Sequence, residues 1–174
     1  MSFWIQAGCP RRTPTPDSAG GLSLVEAIEA AFPLEAEDLV LVWNGVSIRL
    51  SYKYDMSVII EELLNLLSKL LAGADSINVL FGSDTFFANW ELESRDGEVK
   101  ITADWQSALA SIEALRAAPV VTLPLLDFLR EWCRPLRLVH QATADLRLSP
   151  EGLSRSHALA ELVERIGEEG RLYR

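Results

Sequence analysis

Cysteine and histidine are scarce in this chain, with two of each in 174 residues. Cys9 and Cys133 stand far apart and neither belongs to a Cys-x-x-Cys pair, so spacing gives no zinc site and no redox couple. A chain of this length buries enough surface to fold without a disulfide, and a reducing compartment is the simpler expectation. Lysine is nearly absent, 3 residues beside 13 arginines, and the 16 basic residues face 25 acidic ones for a net charge of −9. That balance excludes nucleic-acid binding through a broad basic field. No apolar run approaches the roughly 20 residues of a spanning helix. The most apolar stretch, Val58 to Ala72, is broken by Glu61, Glu62, Asn65 and Lys69 and reads as a buried helix. No export signal is expected either. Ala7-Gly8-Cys9 has the look of a lipoprotein cleavage site, but no positive residue precedes it and Phe3-Trp4-Ile5 is too short for a signal core. The cytoplasm is therefore the expected location.

Glycine fingerprints are lacking too. Gly20-Gly21 precedes a helix without the lysine and spacing of a phosphate-binding loop, and Gly82-Ser83-Asp84-Thr85 reads as a turn between strands. No cofactor or metal site is expected.

What is present is an ordinary globular composition, 49% hydrophobic and 24% charged, expected to form one domain over residues 1–174 with a Pro/Gly-rich loop at 9–21. Two turn signals organise it. Asn44-Gly45 predicts a type I′ hairpin that pairs Trp43 with Val46, Leu41 with Ile48 and Leu39 with Leu50, all on one apolar face. Asp96-Gly97 predicts a second hairpin, pairing Trp90 with Ala103 and Leu92 with Ile101 on one side, and Glu93 with Lys100 and Arg95 with Glu98 on the other. Apolar spacing predicts helices from Leu22 to Phe32 and from Val58 to Ala72, the second capped by Asp55 or Ser57 and stopped by Gly73. Ile77 to Phe81 is a short strand. A helix is expected from Asp104, as cap, to Ala117 with Trp105 and Leu109 inward, then a strand at Val120–Thr122. A further helix should open at Pro124 and close at Pro135, and a last one should begin at Ser149-Pro150 and stop at Gly167 or Gly170. Leu136 to Leu148 reads as one or two strands. The fold class is α+β: one antiparallel sheet built from the two hairpins plus additional strands, with helices packed on one face.

For chemistry, Cys133 and His140 are the available nucleophile and base, but no carboxylate is placed to orient them. Cys133 follows Trp132 on an apolar helix face and reads as a buried thiol, while His157 reads as a surface side chain. Glu91, Glu93 and Glu98 share a sheet face, yet Lys100 and Arg95 already oppose two of them. The charge distribution says more. Residues 1–115 carry 17 acidic and 7 basic side chains, residues 116–174 carry 8 and 9, and no lysine or arginine lies between Thr13 and Ile48. Two acidic groups stand out: Glu35, Glu37 and Asp38 ahead of the first hairpin, and Asp84, Glu91 and Asp96 around the second. Such a field steers a basic partner.

The stretch Val79-Leu80-Phe81-Gly82-Ser83, with Phe87-Ala88-Asn89-Trp90-Glu91-Leu92, Asp96-Gly97-Glu98-Val99-Lys100-Ile101 and Trp105, resembles small bacterial immunity proteins of polymorphic toxin systems. The resemblance covers about residues 76–105 and carries over no functional residue. It implies a compact, acidic, cytoplasmic α+β protein without an active site that occludes a cognate toxin by direct binding. The expected partner is a basic toxin domain, with neither nucleic acid nor membrane involved, met through Glu35, Glu37, Asp38, Asp84, Glu91 and Asp96. The alternatives are an adaptor or chaperone for a secreted effector, and a small enzyme using Asp84, Glu91 or His140.

Overall fold

The two Asx-Gly pairs make the turns their chemistry favours. In the computed structural model, which describes residues 3–8, 10–12, 21–34 and 37–172, Asn44 and Asp96 hold φ of 47° and 52°, followed by Gly45 and Gly97 at 84° and 79°. These are the paired left-handed residues of a type I′ turn. The first hairpin joins β2 (Leu39–Trp43) to β3 (Val46–Leu50) in the expected register, Leu39 opposite Leu50 and Trp43 opposite Val46. The second joins β5 (Phe86–Arg95) to β6 (Glu98–Ala108), with Trp90 opposite Ala103 and Glu93 opposite Lys100.

The hairpins do not share one sheet. The first is extended on the β2 side by β1 (Phe3–Gln6), giving the order β1-β2-β3. The second is flanked by β4 (Ser76–Ser83) and β7 (Val120–Pro124), giving β4-β5-β6-β7, and every pairing in both sheets is antiparallel. The sheets meet through side chains. Phe3 and Trp43 of the first reach Trp90 of the second with ring centroids 6.3 and 5.2 Å away, and Trp43 stands edge-on to Trp105 at 5.2 Å. The tip of the first hairpin also docks on the backbone leading into β7. Asn44 Nδ2 donates to the carbonyls of Ala118 and Val120 at 2.9 and 2.8 Å, and Trp43 Nε1 donates to Ala118 at 2.9 Å.

Among the described residues five α-helices cover the buried faces: α1 (Leu24–Ala31), α2 (Ser57–Leu71), α3 (Ile112–Ala117), α4 (Leu125–Thr143) and α5 (Pro150–Leu172). Ser23 caps α1 in a reciprocal box, since Glu26 N donates to Ser23 Oγ while Ser23 N and Oγ donate to the Glu26 carboxylate. Gly73, at φ 82°, follows α2 as expected.

Four other expectations fail. Asp104 caps no helix: β6 runs on to Ala108, because Val99, Ile101, Ala103 and Trp105 keep alternating inward, and Ser111 caps the much shorter α3. Leu109 is exposed. Pro135 does not end α4. Trp132, Leu136, Val139 and Thr143 continue one buried stripe, and packing of that stripe outweighs the lost backbone bond, so residues expected as strands after Leu136 are helical to Thr143. Neither Gly167 nor Gly170 stops α5, which continues to Leu172. Neither Asp55 nor Ser57 is the α2 cap residue; Met56 holds that position, after a π-helical turn at Tyr52–Met56. Cys9 and most of the 9–21 loop lie outside the described residues.

Candidate functional site

Burial alternates strictly along the four-stranded sheet. Ile77, Val79 and Phe81 of β4 point into the core, as do Ala88, Trp90 and Leu92 of β5 and Val99, Ile101, Ala103 and Trp105 of β6. The alternate residues form an outer face that no helix among the described residues covers. Its rows follow the register: Ser76, Glu93, Lys100 and Thr122; then Asn78, Glu91, Thr102 and Val120; then Leu80, Asn89 and Asp104; then Gly82 and Phe87.

Charge is unevenly spread over this face. Near the Asp96-Gly97 turn it is balanced, with Lys100 Nζ 3.6 Å from Glu93 and Arg95 opposite Glu98. Toward the β4–β5 turn the balance is lost. Glu91 and Asp104 are diagonal neighbours in a depression of about 300 Å³, lined also by Asn89, Thr102 and Arg116. Arg116 donates through Nε to the Trp105 carbonyl at 2.9 Å, and Gln106 donates to Asp104 at 2.9 Å. Beside the carboxylates, Leu80 and Phe87 are 54% and 39% exposed. Phe87 lies opposite Gly82, where an added Cβ would meet nothing within 4 Å.

Behind the face, the β4–β5 turn is fixed by a buried carboxylate. Asp55 is 1% exposed and accepts from Ser51 N at 2.7 Å, from Thr85 Oγ1 at 2.5 Å and from Ser83 Oγ. The π-helical turn that carries Asp55 therefore holds both residues flanking Asp84.

No family model, curated protein or solved structure matches this chain. The reading of its surface accordingly rests on the placement of its own residues.

That placement separates the residues singled out in the sequence. Glu35 lies outside the described residues. Glu37 is exposed ahead of β2, but Asp38 is bound by Arg49, with Nη2 2.7 Å and Nε 3.0 Å from Oδ2. Arg49, the first basic residue after the stretch without lysine or arginine, thus neutralises one member of the first group. Asp84, Glu91 and Asp96 are all exposed, yet they form no cluster. Asp84 precedes β5 and Asp96 follows it, so about ten strand residues, on the order of 30 Å, separate them. Asp104, expected as a helix cap, is the carboxylate that actually joins Glu91. The uninterrupted alternation of β6 was the signal that could have found it.

The catalytic alternatives are scattered. Glu91 is on the outer face, Asp84 in the turn, and His140 on α4. Cys133 and His140 are two turns apart on that helix, roughly 10 Å along its axis. The thiol is instead 3.7 Å from both Val163 O and Arg137 Nη2, and burial pushes its pKa up despite the guanidinium. His157 is exposed. Among the described residues no three His, Cys, Asp or Glu side chains are grouped to hold a metal ion, and no helix is long and apolar enough to cross a membrane.

Proposed function

We propose that this chain is a cytoplasmic, non-catalytic binding protein of the bacterial immunity type, which neutralises a cognate toxin by direct contact through an acidic surface. One observation carries the reading. The uncovered face of the four-stranded sheet places Glu91 and Asp104 in excess over nearby basic groups, directly beside exposed Leu80 and Phe87. Carboxylates around apolar anchors suit a basic protein surface: charge speeds encounter, and burial of the anchors slows release. Asp84, at the end of the same face, adds to the field. The Glu37 region contributes less, since Arg49 already engages Asp38.

The test is capture of the partner from the source cell on the immobilised full chain at high salt, identification by mass spectrometry, and expression of that partner in a host lacking this chain. Growth arrest relieved by co-expression is the expected result. A harmless partner that the chain later releases would favour the adaptor or chaperone reading, and no stable partner at all would overturn binding as the function.

A further inference from the structure

Edge strands present unpaired backbone groups, and proteins guard them with charge, proline, bulges or brevity. Among the described residues, three of the four sheet edges are guarded or short. On β1, Ile5 N donates to the Glu131 carboxylate at 2.7 Å. On β7, the Val120 carbonyl is taken by Asn44 at 2.8 Å, and the strand ends in Pro124, which has no N–H. β3 is only five residues long and carries Arg49. β4 has none of these devices. Its eight residues, Ser-Ile-Asn-Val-Leu-Phe-Gly-Ser, contain no charge and no proline, and its pairing with β5 is regular throughout.

The direction of its backbone groups follows from one bond. Ser94 N donates to Asp75 O at 2.8 Å, which makes 75 and 94 a hydrogen-bonded pair just outside the strand. Antiparallel ladders alternate, so Ile77, Val79, Phe81 and Ser83 spend their amides and carbonyls on β5. Ser76, Asn78, Leu80 and Gly82 turn theirs to the free edge. Alongside runs a groove of about 310 Å³, bounded by Glu62, Asn65 and Lys69 of α2 and by Asn78 and Leu80 of β4.

We infer that the free edge of β4 receives an extended segment of the protein partner as a fifth, hydrogen-bonded strand, with basic residues flanking that segment. The inference rests on the reading of this chain as a binder of a basic protein and adds how the partner is held. The charges select the occupant. β4 is uncharged but bounded by Asp75 and Asp84, with Glu91 on the neighbouring strand. An antiparallel second copy pairing these free-edge residues would bring Asp75 of each chain within one residue of Asp84 of the other at both ends of the joint, and like charges held that close disfavour the pairing. A basic-flanked strand meets the same carboxylates favourably.

The experiment compares the full-length wild type with Asn78→Pro, which removes one edge N–H without touching the β5 ladder, and Leu80→Lys, which puts a charge on the edge but keeps every backbone donor. Glu91→Lys/Asp104→Lys serves as a variant of the face alone. Each is immobilised, exposed to source-cell lysate at high salt, and the recovered proteins are quantified. Thermal melting establishes that each edge variant is folded. The expected result is that recovery of one basic protein falls at least about tenfold with either folded edge variant, and that in the wild-type complex the amides of Ser76, Asn78, Leu80 and Gly82 gain protection from hydrogen exchange. Equal recovery with folded edge variants, or no protection at those four amides, overturns strand addition and leaves the binder reading standing. If the wild type recovers nothing, the binder reading fails and this inference with it. A wild-type dimer in sedimentation that Asn78→Pro converts to monomer makes a second copy the occupant and overturns the proposal.

Discussion

A carboxylate placed in the core must be answered on every side, and Asp55 is answered by one amide and two hydroxyls. Asp55→Ala strands those three donors in a buried site. The expected cost is on the order of 3 kcal/mol, measurable by urea denaturation, with Asp55→Asn milder because the hydroxyls can rotate to its carbonyl. Two other residues give pH dependences of opposite origin. The Ser23 backbone and side-chain donors hold the Glu26 carboxyl below its ordinary 4.5. The capping contribution is therefore complete above that value and lost as pH falls through the lower folded value, and Glu26→Gln should flatten the acid limb of a stability profile. Burial raises the Cys133 thiol above its ordinary 9.0. The folded state then holds its proton more tightly than the unfolded state, so stability declines as pH rises past 9.0 toward the folded value, and Cys133→Ser should remove that decline. Neither Cys133→Ser nor His140→Gln should affect partner binding in a folded chain, since neither side chain reaches the outer face.

At the scale of elements, the hairpins were legible because turn chemistry and apolar alternation gave the same register independently. Ile48 and Ile101, both fully buried on the expected faces, should each cost about 2–5 kcal/mol as alanine in equilibrium unfolding. Helix ends were less legible, since local punctuation competes with packing. Pro135 is a stop signal in isolation, but the apolar stripe of α4 runs past it, whereas α5 continues beyond Gly167 to Leu172 although its buried stripe, among the described residues, ends at Ile166. Asp104 resembles an N-cap until the alternation through Trp105 is followed to its end, and that misreading hid half of the carboxylate pair. One close contact between elements has no sequence signal at all. Leu22 bridges Leu148, and a Cβ on Gly152 of α5 would lie 2.2 Å from the Leu22 carbonyl. Gly152→Ala must push α5 from the start of α1, at roughly 1–3 kcal/mol in a thermal or chemical melt.

For the whole molecule, the net charge of −9 announced an acidic surface without locating it. Position depended on contacts between residues distant in the chain: Arg49 quieting Asp38, β5 holding Asp84 and Asp96 apart, and β6 bringing Asp104 to Glu91. The separation of the two sheets was likewise hidden, because aromatic packing between Trp43, Trp90 and Trp105 and side-chain hydrogen bonds from Trp43 and Asn44 join them in place of a backbone ladder. We propose that a basic protein meets this chain across the outer face of β4, β5 and β6. The most direct test is the association rate of the captured partner at low and high ionic strength, for the wild type and for Glu91→Lys/Asp104→Lys. The reversal should slow association about tenfold at low salt and flatten the salt dependence, while stability barely changes. An unchanged rate and an unchanged salt slope would contradict it.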